Sequence, residues 1–349
     1  MKELFRANKK NVKFMIVLFL VFLMISIIMA TAIGAVKVPY METVKIILNN
    51  IGIAKFKLSN KGFEAIIFHV RLPRVIVAIL VGGALGISGA VMQSMFRNPM
   101  ADPGVLGISS GASLGAIIAV ALGLTNRGIY YMPLFAIVGA LIAAYTIYKL
   151  AASKGKVPPL ILILAGIAIS TFLGSITSLI LTKIGEHQVR EYLFWSIGSL
   201  ADRRWEHASL VVVPIVIFSL ILMSFAKELN ILLLGDEEAK SLGLNTNRIR
   251  KKILFFSSMT TAMAVCVSGN IAFVGLIVPH ILRLIVGSDN RILLPLSAIG
   301  GAIFLVICDL IARTVISPAE IGVGIITSLI GAPYFIFLLK RAQKEGISL

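Results

Sequence analysis

Apolar residues along this chain fall in runs of roughly 16 to 26, long enough to approach or exceed the ~20 residues a helix needs to cross a bilayer. Charged residues collect between the runs rather than inside them. The pattern predicts about ten spanning helices, over residues 14–36, 74–95, 104–123, 132–150, 158–183, 207–226, 253–268, 271–286, 292–313 and 321–339. No soluble domain interrupts the series, so residues 1–349 read as a single transmembrane domain of an all-α, multi-pass membrane protein. Between the second and third runs, residues 98–107 carry two prolines. They read as partly irregular backbone, which a bilayer tolerates only where protein shields it or where it lines a cavity.

Composition agrees with the pattern. The chain is 58% hydrophobic and 14% charged, with a mean hydropathy of +0.97, too apolar for a soluble protein of this length. The net charge of +17 raises the question of nucleic acid. The cations are dispersed in short juxtamembrane segments, however, with no basic domain or interleaved aromatic surface, so that class is set aside. Cations beside the spans set orientation and meet anionic lipid instead. The clusters at the N-terminus, at Arg248–Lys252 and at Lys340–Lys344 place both termini in the cytoplasm, against a first outer loop that also holds five lysines, from Lys37 to Lys61. Ala30-Thr31-Ala32 has the look of a signal cleavage site. An uncleaved first helix fits the rest of the chain better. Cys266 and Cys308 lie in separate apolar runs and read as small buried hydrophobes.

Five constellations invite a functional reading. Arg71 and Arg74 flank Pro73 at the outer start of the second span, where a cation opposes the helix dipole and so calls for another use: snorkelling to headgroups or meeting a partner. Arg313 stands at the outer end of the ninth span, four residues after Asp309. On the inner side, residues 227–252 form the longest loop. There Asp236, Glu237 and Glu238 suit the first turn of a short helix, Gly243 its end, and Asn245 the cap of a following basic helix. Ala239, Leu242 and Leu244 give it an apolar edge, a shape suited either to a solvated loop or to docking in a partner's groove. The break Asn98-Pro99 with Asp102 reads first as turn and cap, and then as part of a pathway. Val278-Pro279-His280 has no second ligand at metal spacing and reads as packing between helices. The basic turn Lys154 to Pro159 leads into the fifth span.

Ser88-Gly89 and Ser268-Gly269, on oppositely directed spans, hint at an inverted repeat. Recurrent small residues such as Gly82, Gly86, Gly111, Gly115, Gly300 and Gly301 allow close helix approach. No phosphate-binding G-x-x-x-x-G-K-[ST] loop, H-E-x-x-H or nucleophile elbow occurs, so any ATP-driven step needs another polypeptide.

The segments RLPR at Arg71, NPMADPG at Asn98, the L-G-x-x-x-A-x-x-L-G pattern from Leu234 to Gly243, VPH at Val278 and IGVGIITSLIGAPYF from Ile321 together resemble the FecCD family, permease subunits of ABC importers for iron chelates, haem and vitamin B12. The resemblance implies a type II ABC importer permease fold in the cell membrane, with two permease copies forming the pathway. It implies two cytoplasmic ATPase subunits, which would hold the ATP and Mg, seated on a coupling loop at Gly235, Asp236, Glu237, Glu238, Ala239, Leu242 and Gly243. It implies an extracytoplasmic binding protein docking at Arg71, Arg74 and Arg313, and a pathway or gate near Asn98, Pro99, Asp102 and Pro159. It implies no metal site and no cofactor on this chain, no bond-changing chemistry, and an iron–siderophore cargo ahead of haem or cobalamin. The rival reading is an autonomous ion-coupled transporter, which needs ionisable residues clustered within the spans. Asp309, His280 and Asp102 are the candidates, and they are scattered in sequence.

Overall fold

The structure is a computed structural model, and it describes residues 9–152 and 158–345. Helices dominate, and no strand occurs among the described residues. In chain order they are α1 (Lys9–Ala32), α2 (Tyr40–Ile51), α3 (Lys61–Ala65), α4 (Leu72–Phe96), α5 (Ile108–Ala121), α6 (Tyr131–Ala151), α7 (Pro159–Leu181), α8 (Glu186–Ser196), α9 (Trp205–Ser224), α10 (Ala226–Leu232), α11 (Asp236–Ser241), α12 (Thr246–Ser268), α13 (Val274–Val286), α14 (Asn290–Ala312) and α15 (Val323–Glu345). Among the described residues, six helical stretches are long and apolar enough to cross a membrane: Val12–Ala32, Gly62–Phe96, Tyr131–Ala151, Leu160–Leu181, Trp205–Ser224 and Asn290–Ala312. Three shorter apolar helices, Ile108–Ala121, Val274–Val286 and Val323–Leu338, accompany them.

The second predicted span begins earlier than its sequence suggested. Pro73 reads as a helix start, yet the helix runs unbroken from Gly62 to Phe96, 35 residues. A six-residue π turn, Ile66–Arg71, joins α3 to α4, and the Leu72 N–H reaches back to Ile67 O. A proline inside an α-helix lacks a donor and presses on the carbonyl four residues back. The wider turn just before Pro73 relieves that conflict. At ~1.5 Å per residue the stretch is ~52 Å long, well beyond a ~30 Å hydrocarbon layer.

The helices α5 and α13 are shorter than the other apolar helices, and irregular backbone precedes each. Before α5, a 3-10 turn spans Pro103–Leu106. Before α13, Phe273 adopts a left-handed conformation with φ 70°. The two interruptions adjoin, because Asp102 Oδ2 lies against Gly275, the second residue of α13. Gln93 on α4 covers the same place, donating its Nε2 to Gly275 O (3.3 Å) and Leu276 O (3.0 Å).

Packing centres on α4, whose residues from Pro73 to Met95 are almost all buried. It runs against α14 with backbones touching. A methyl group at Gly82 would strike the Gly301 carbonyl, and one at Gly86 would strike the Ser297 carbonyl. α5 meets α6 in the same way, Gly111 and Gly115 facing Gly139 and the Phe135 carbonyl. Dispersion between close-packed backbones, rather than exclusion from water, holds such contacts in lipid. By contrast Leu160, Leu164, Ile167, Phe172 and Leu179 leave α7 largely open at the periphery.

Candidate functional site

Arg71, Arg74 and Arg313 converge at one end of the helix assembly, and all three are buried. Arg71 donates to Thr31 O (2.9 Å) and Ala32 O (2.7 Å), and also to Val36 O. These carbonyls belong to the end of α1 and the chain just after it, so Arg71 caps the negative end of a helix dipole. Sequence placed this cation at an unfavourable helix start. The fold places it at a favourable helix end.

Arg74 makes a forked contact with Asp309, through Nε (3.1 and 3.0 Å) and Nη2 (2.9 Å), and its Nη1 reaches Glu320 at 2.8 Å. Arg313 lies 3.7 Å from Asp309 Oδ2 and donates to Ala30 O. Asp309, only 1% exposed, therefore stands between two guanidiniums. Asp309 stands four residues before Arg313, yet its closer partner is Arg74, 235 residues away in sequence. A forked guanidinium–carboxylate pair, sheltered from water, is among the stronger polar contacts available. The cluster fastens α1, α4, α14 and the segment before α15. It also commits Asp309, so that carboxylate is not free to carry a coupling ion.

The break after α4 is built from local turns. Arg97 ends the helix in a left-handed conformation, φ 52°. Asn98 Oδ1 accepts from the Met100 N–H at 2.8 Å. Pro99 sits in that turn. Asp102 Oδ1 accepts from the Gly104 N–H at 2.7 Å and caps the 3-10 turn. Pro159 opens α7. The rest of the basic turn before it, Lys154 to Val157, lies outside the described residues. His280 on α13 meets the Tyr334 ring of α15 edge to face, 6.3 Å between centroids. No group of three His, Cys, Asp or Glu able to hold a metal occurs among the described residues.

At the opposite end of α4 lies a ledge made by α10, α11 and the start of α12. Asp236, Glu237 and Glu238 fill the first turn of α11, where negative charge suits the helix dipole. Gly235 precedes it with φ 134°, and a methyl there would collide with the Glu238 carboxylate. Gly243, φ 80°, follows its end. Asn245 Oδ1 accepts from the Arg248 N–H at 3.0 Å and caps α12. Asp236 then binds Arg250 of α12 through both oxygens, at 2.6 and 3.0 Å.

The apolar edge of this ledge differs from the one the sequence suggested. Ala239 is fully buried, whereas Leu242 and Leu234 are 63% and 60% exposed. Leu242 lies past the last residue of α11, where the chain turns, so it projects away from the face that Ala239 buries. Upstream, Asn230 of α10 joins Asp289 and Asn290, which no sequence motif marked. Hydrogen bonds from Arg291, aided by Asn230, hold the Asp289 carboxyl down at about 2.

The FecCD transport family matches residues 21–341. The cobalamin import system permease protein BtuC of Halobacterium salinarum is 44% identical over 284 residues, 81% of this chain and 76% of that protein. The hemin transport system permease protein HmuU of Yersinia pestis is 41% identical over 294 residues, 82% and 86% of the two chains. Among solved structures, a metal-chelate-type ABC transporter in an inward-facing conformation superposes with a TM-score of 0.81 at 31% identity, covering 93% of this chain and 97% of that one. By sequence, by architecture and by its membrane-spanning helices, this chain belongs to the FecCD transport family, the membrane-embedded permease subunits of ABC importers.

Proposed function

We propose that the chain is one half of the translocation pathway of an ATP-driven metal-chelate importer. Two copies enclose the path. Ten helices span the membrane: α1, α4, α5, α6, α7, α9, α12, α13, α14 and α15. Both termini face the cytoplasm, and the ledge of residues 227–252 seats a separate ATPase that holds ATP and Mg. The ledge carries this reading. It offers two exposed leucines, Leu234 and Leu242, beside an acidic helix turn, on a base fixed by the Asp236–Arg250 pair. A short helix with an apolar edge on a rigid mount fits a groove in a partner.

Docking of an extracytoplasmic binding protein at Arg71, Arg74 and Arg313 then works by exchange. Asp309 and the α1 carbonyls hold the inner edges of the cluster. Among the described residues only Glu320, whose side chain is 40% exposed, holds the outer Nη1 of Arg74. A carboxylate of the binding protein would take Glu320's place, leaving the buried contacts intact. The cargo is a metal chelate, with iron–siderophore complexes first to be tested and haem and cobalamin next. Growth of a deletion strain on each of these as sole iron or cobalamin source tests the cargo. Growth that does not change on any of them contradicts the importer reading.

A further inference from the structure

The ledge is tied to the membrane helices by a second contact that the coupling reading does not require. Asn230, in the middle of α10, has each side-chain group engaged. Its Nδ2 donates to Asp289 Oδ1 at 2.7 Å, and its Oδ1 accepts from both the backbone N–H and the Nδ2 of Asn290, at 2.8 and 2.9 Å. Asn290 passes the link on, because its Oδ1 accepts from Ser94 Oγ of α4 at 2.7 Å. Arg283 of α13 adds a bond from Nη2 to the same Oγ at 3.3 Å. Asn290 and Ser94 are both fully buried.

The link has one sense only. Rotating the Asn230 amide would set its NH2 against two donors and its oxygen against a carboxylate. The remaining anchors of α10, the buried Ala226, Leu229 and Leu232, resist separation but not sliding. Directional bonds therefore fix the register between ledge and membrane helices.

Ser94 and Asn290 also stand at one end of a longer device. Along antiparallel α4 and α14, Ser94 meets Asn290, Gly86 meets Ser297, Gly82 meets Gly301 and Arg74 meets Asp309. These pairs hold their register to within one residue over 21 residues of α4, Arg74 to Ser94, about 30 Å of helix. Buried polar pairs lock both ends, and backbone contact leaves no compressible side chain between them.

We infer that α4 and α14 form a rigid strut from the cytoplasmic ledge to the outer arginine cluster, and that Asn230 is the positioning residue that makes the ledge drive it. Motion of an ATPase on the ledge then arrives at Arg74 and Asp309 as a rigid-body shift. The inference rests on the importer reading for what pushes the ledge, but not for the strut itself.

The test uses the full complex in nanodiscs and reads how far the binding protein stimulates ATP hydrolysis. The variants are Ser94→Ala, which breaks the link away from the ledge, and Asn230→Asp, which keeps the shape but opposes Asp289. Ser94→Ala should keep the ATPase bound and its basal hydrolysis, while stimulation falls by about fivefold or more in both variants. The double variant should lose no more than the worse single one, because both cut one chain. A role in stability alone would lower the unfolding temperature and leave the stimulated-to-basal ratio unchanged. Stimulation at the wild-type level in Ser94→Ala overturns the inference, even if Asn230→Asp sheds the ATPase. Hydrogen exchange on the chain without partners separates this failure from that of the importer reading. Ser94→Ala should speed exchange of the 226–232 amides, and unchanged exchange there removes the strut whatever the complex does.

Discussion

The outer arginine cluster and the inner ledge both carry charged motifs, and the fold holds them in opposite states. Outside, three arginines are buried and committed to carbonyls and carboxylates of their own chain. Inside, two leucines and the glutamates of α11 face outward, on a mount held by the bidentate Asp236–Arg250 pair and by the Asn230 contacts. The contrast separates two meanings of a charged motif. A cation whose donors are spent inside the chain builds structure first and can meet a partner only by exchange. An exposed apolar edge on a fixed mount is held open for contact. Removing a residue should therefore damage folding at the first site and association at the second.

The largest expected effect is at Arg74. Arg74→Ala leaves Asp309 buried beside Arg313 alone, and stripping one partner from a buried pair costs ~3–5 kcal/mol. The unfolding temperature in detergent should fall sharply, with Arg74→Lys recovering only part of it, because an ammonium cannot make the fork. A stable Arg74→Ala protein would show that the cluster is not structural. The ledge should behave conversely. Leu242→Asp should leave the unfolding temperature within the shift of ~0.5 kcal/mol typical of an open surface site. Co-purification of the ATPase should drop by the ~2 kcal/mol or more expected of a central anchor. Loss of fold together with loss of association would erase the contrast.

A smaller effect concerns pH. Asp289 is held at about 2 in the folded chain against an ordinary value of 3.8. A depressed carboxyl contributes stability that is complete above pH ~4 and is lost as pH falls toward ~2. Asp289→Asn should flatten the acid limb of an unfolding-temperature profile, and an unaltered limb would contradict the assignment. The smallest effect on folding is at Glu320. Glu320→Gln removes a half-exposed ion pair worth ~1 kcal/mol or less, so the fold should be indifferent. The binding protein should nonetheless associate faster at low salt, since the rim gains one net positive charge. Slower or weaker association would refute docking by exchange.

Local chemistry explains what could be read from the sequence. The ledge was legible because its signals are short-range: three acids, a glycine and a capping asparagine within eleven residues, Gly235 to Asn245. The apolar runs marked the helices for the same reason. Sequence could not show that Arg71 caps α1, since the carbonyls it reaches lie 35 to 40 residues upstream. Nor could it show Asn290 meeting both Asn230 and Ser94, ordinary polar residues joined only by folding. Pro73 misled because a π turn, which no residue pattern specifies, absorbs it. The short helices α2 and α8 are not long enough to span, so the pattern of long apolar runs does not mark them, although Pro39 and Gly52 bound α2.

Photo-crosslinking in native membranes tests the central claim most directly, with a probe placed at position 242 in one strain and at position 320 in another. The account predicts that position 242 captures a nucleotide-hydrolysing subunit and position 320 captures the extracytoplasmic binding protein. Capture of the ATPase from position 320, or of no cytoplasmic partner from position 242, would contradict it.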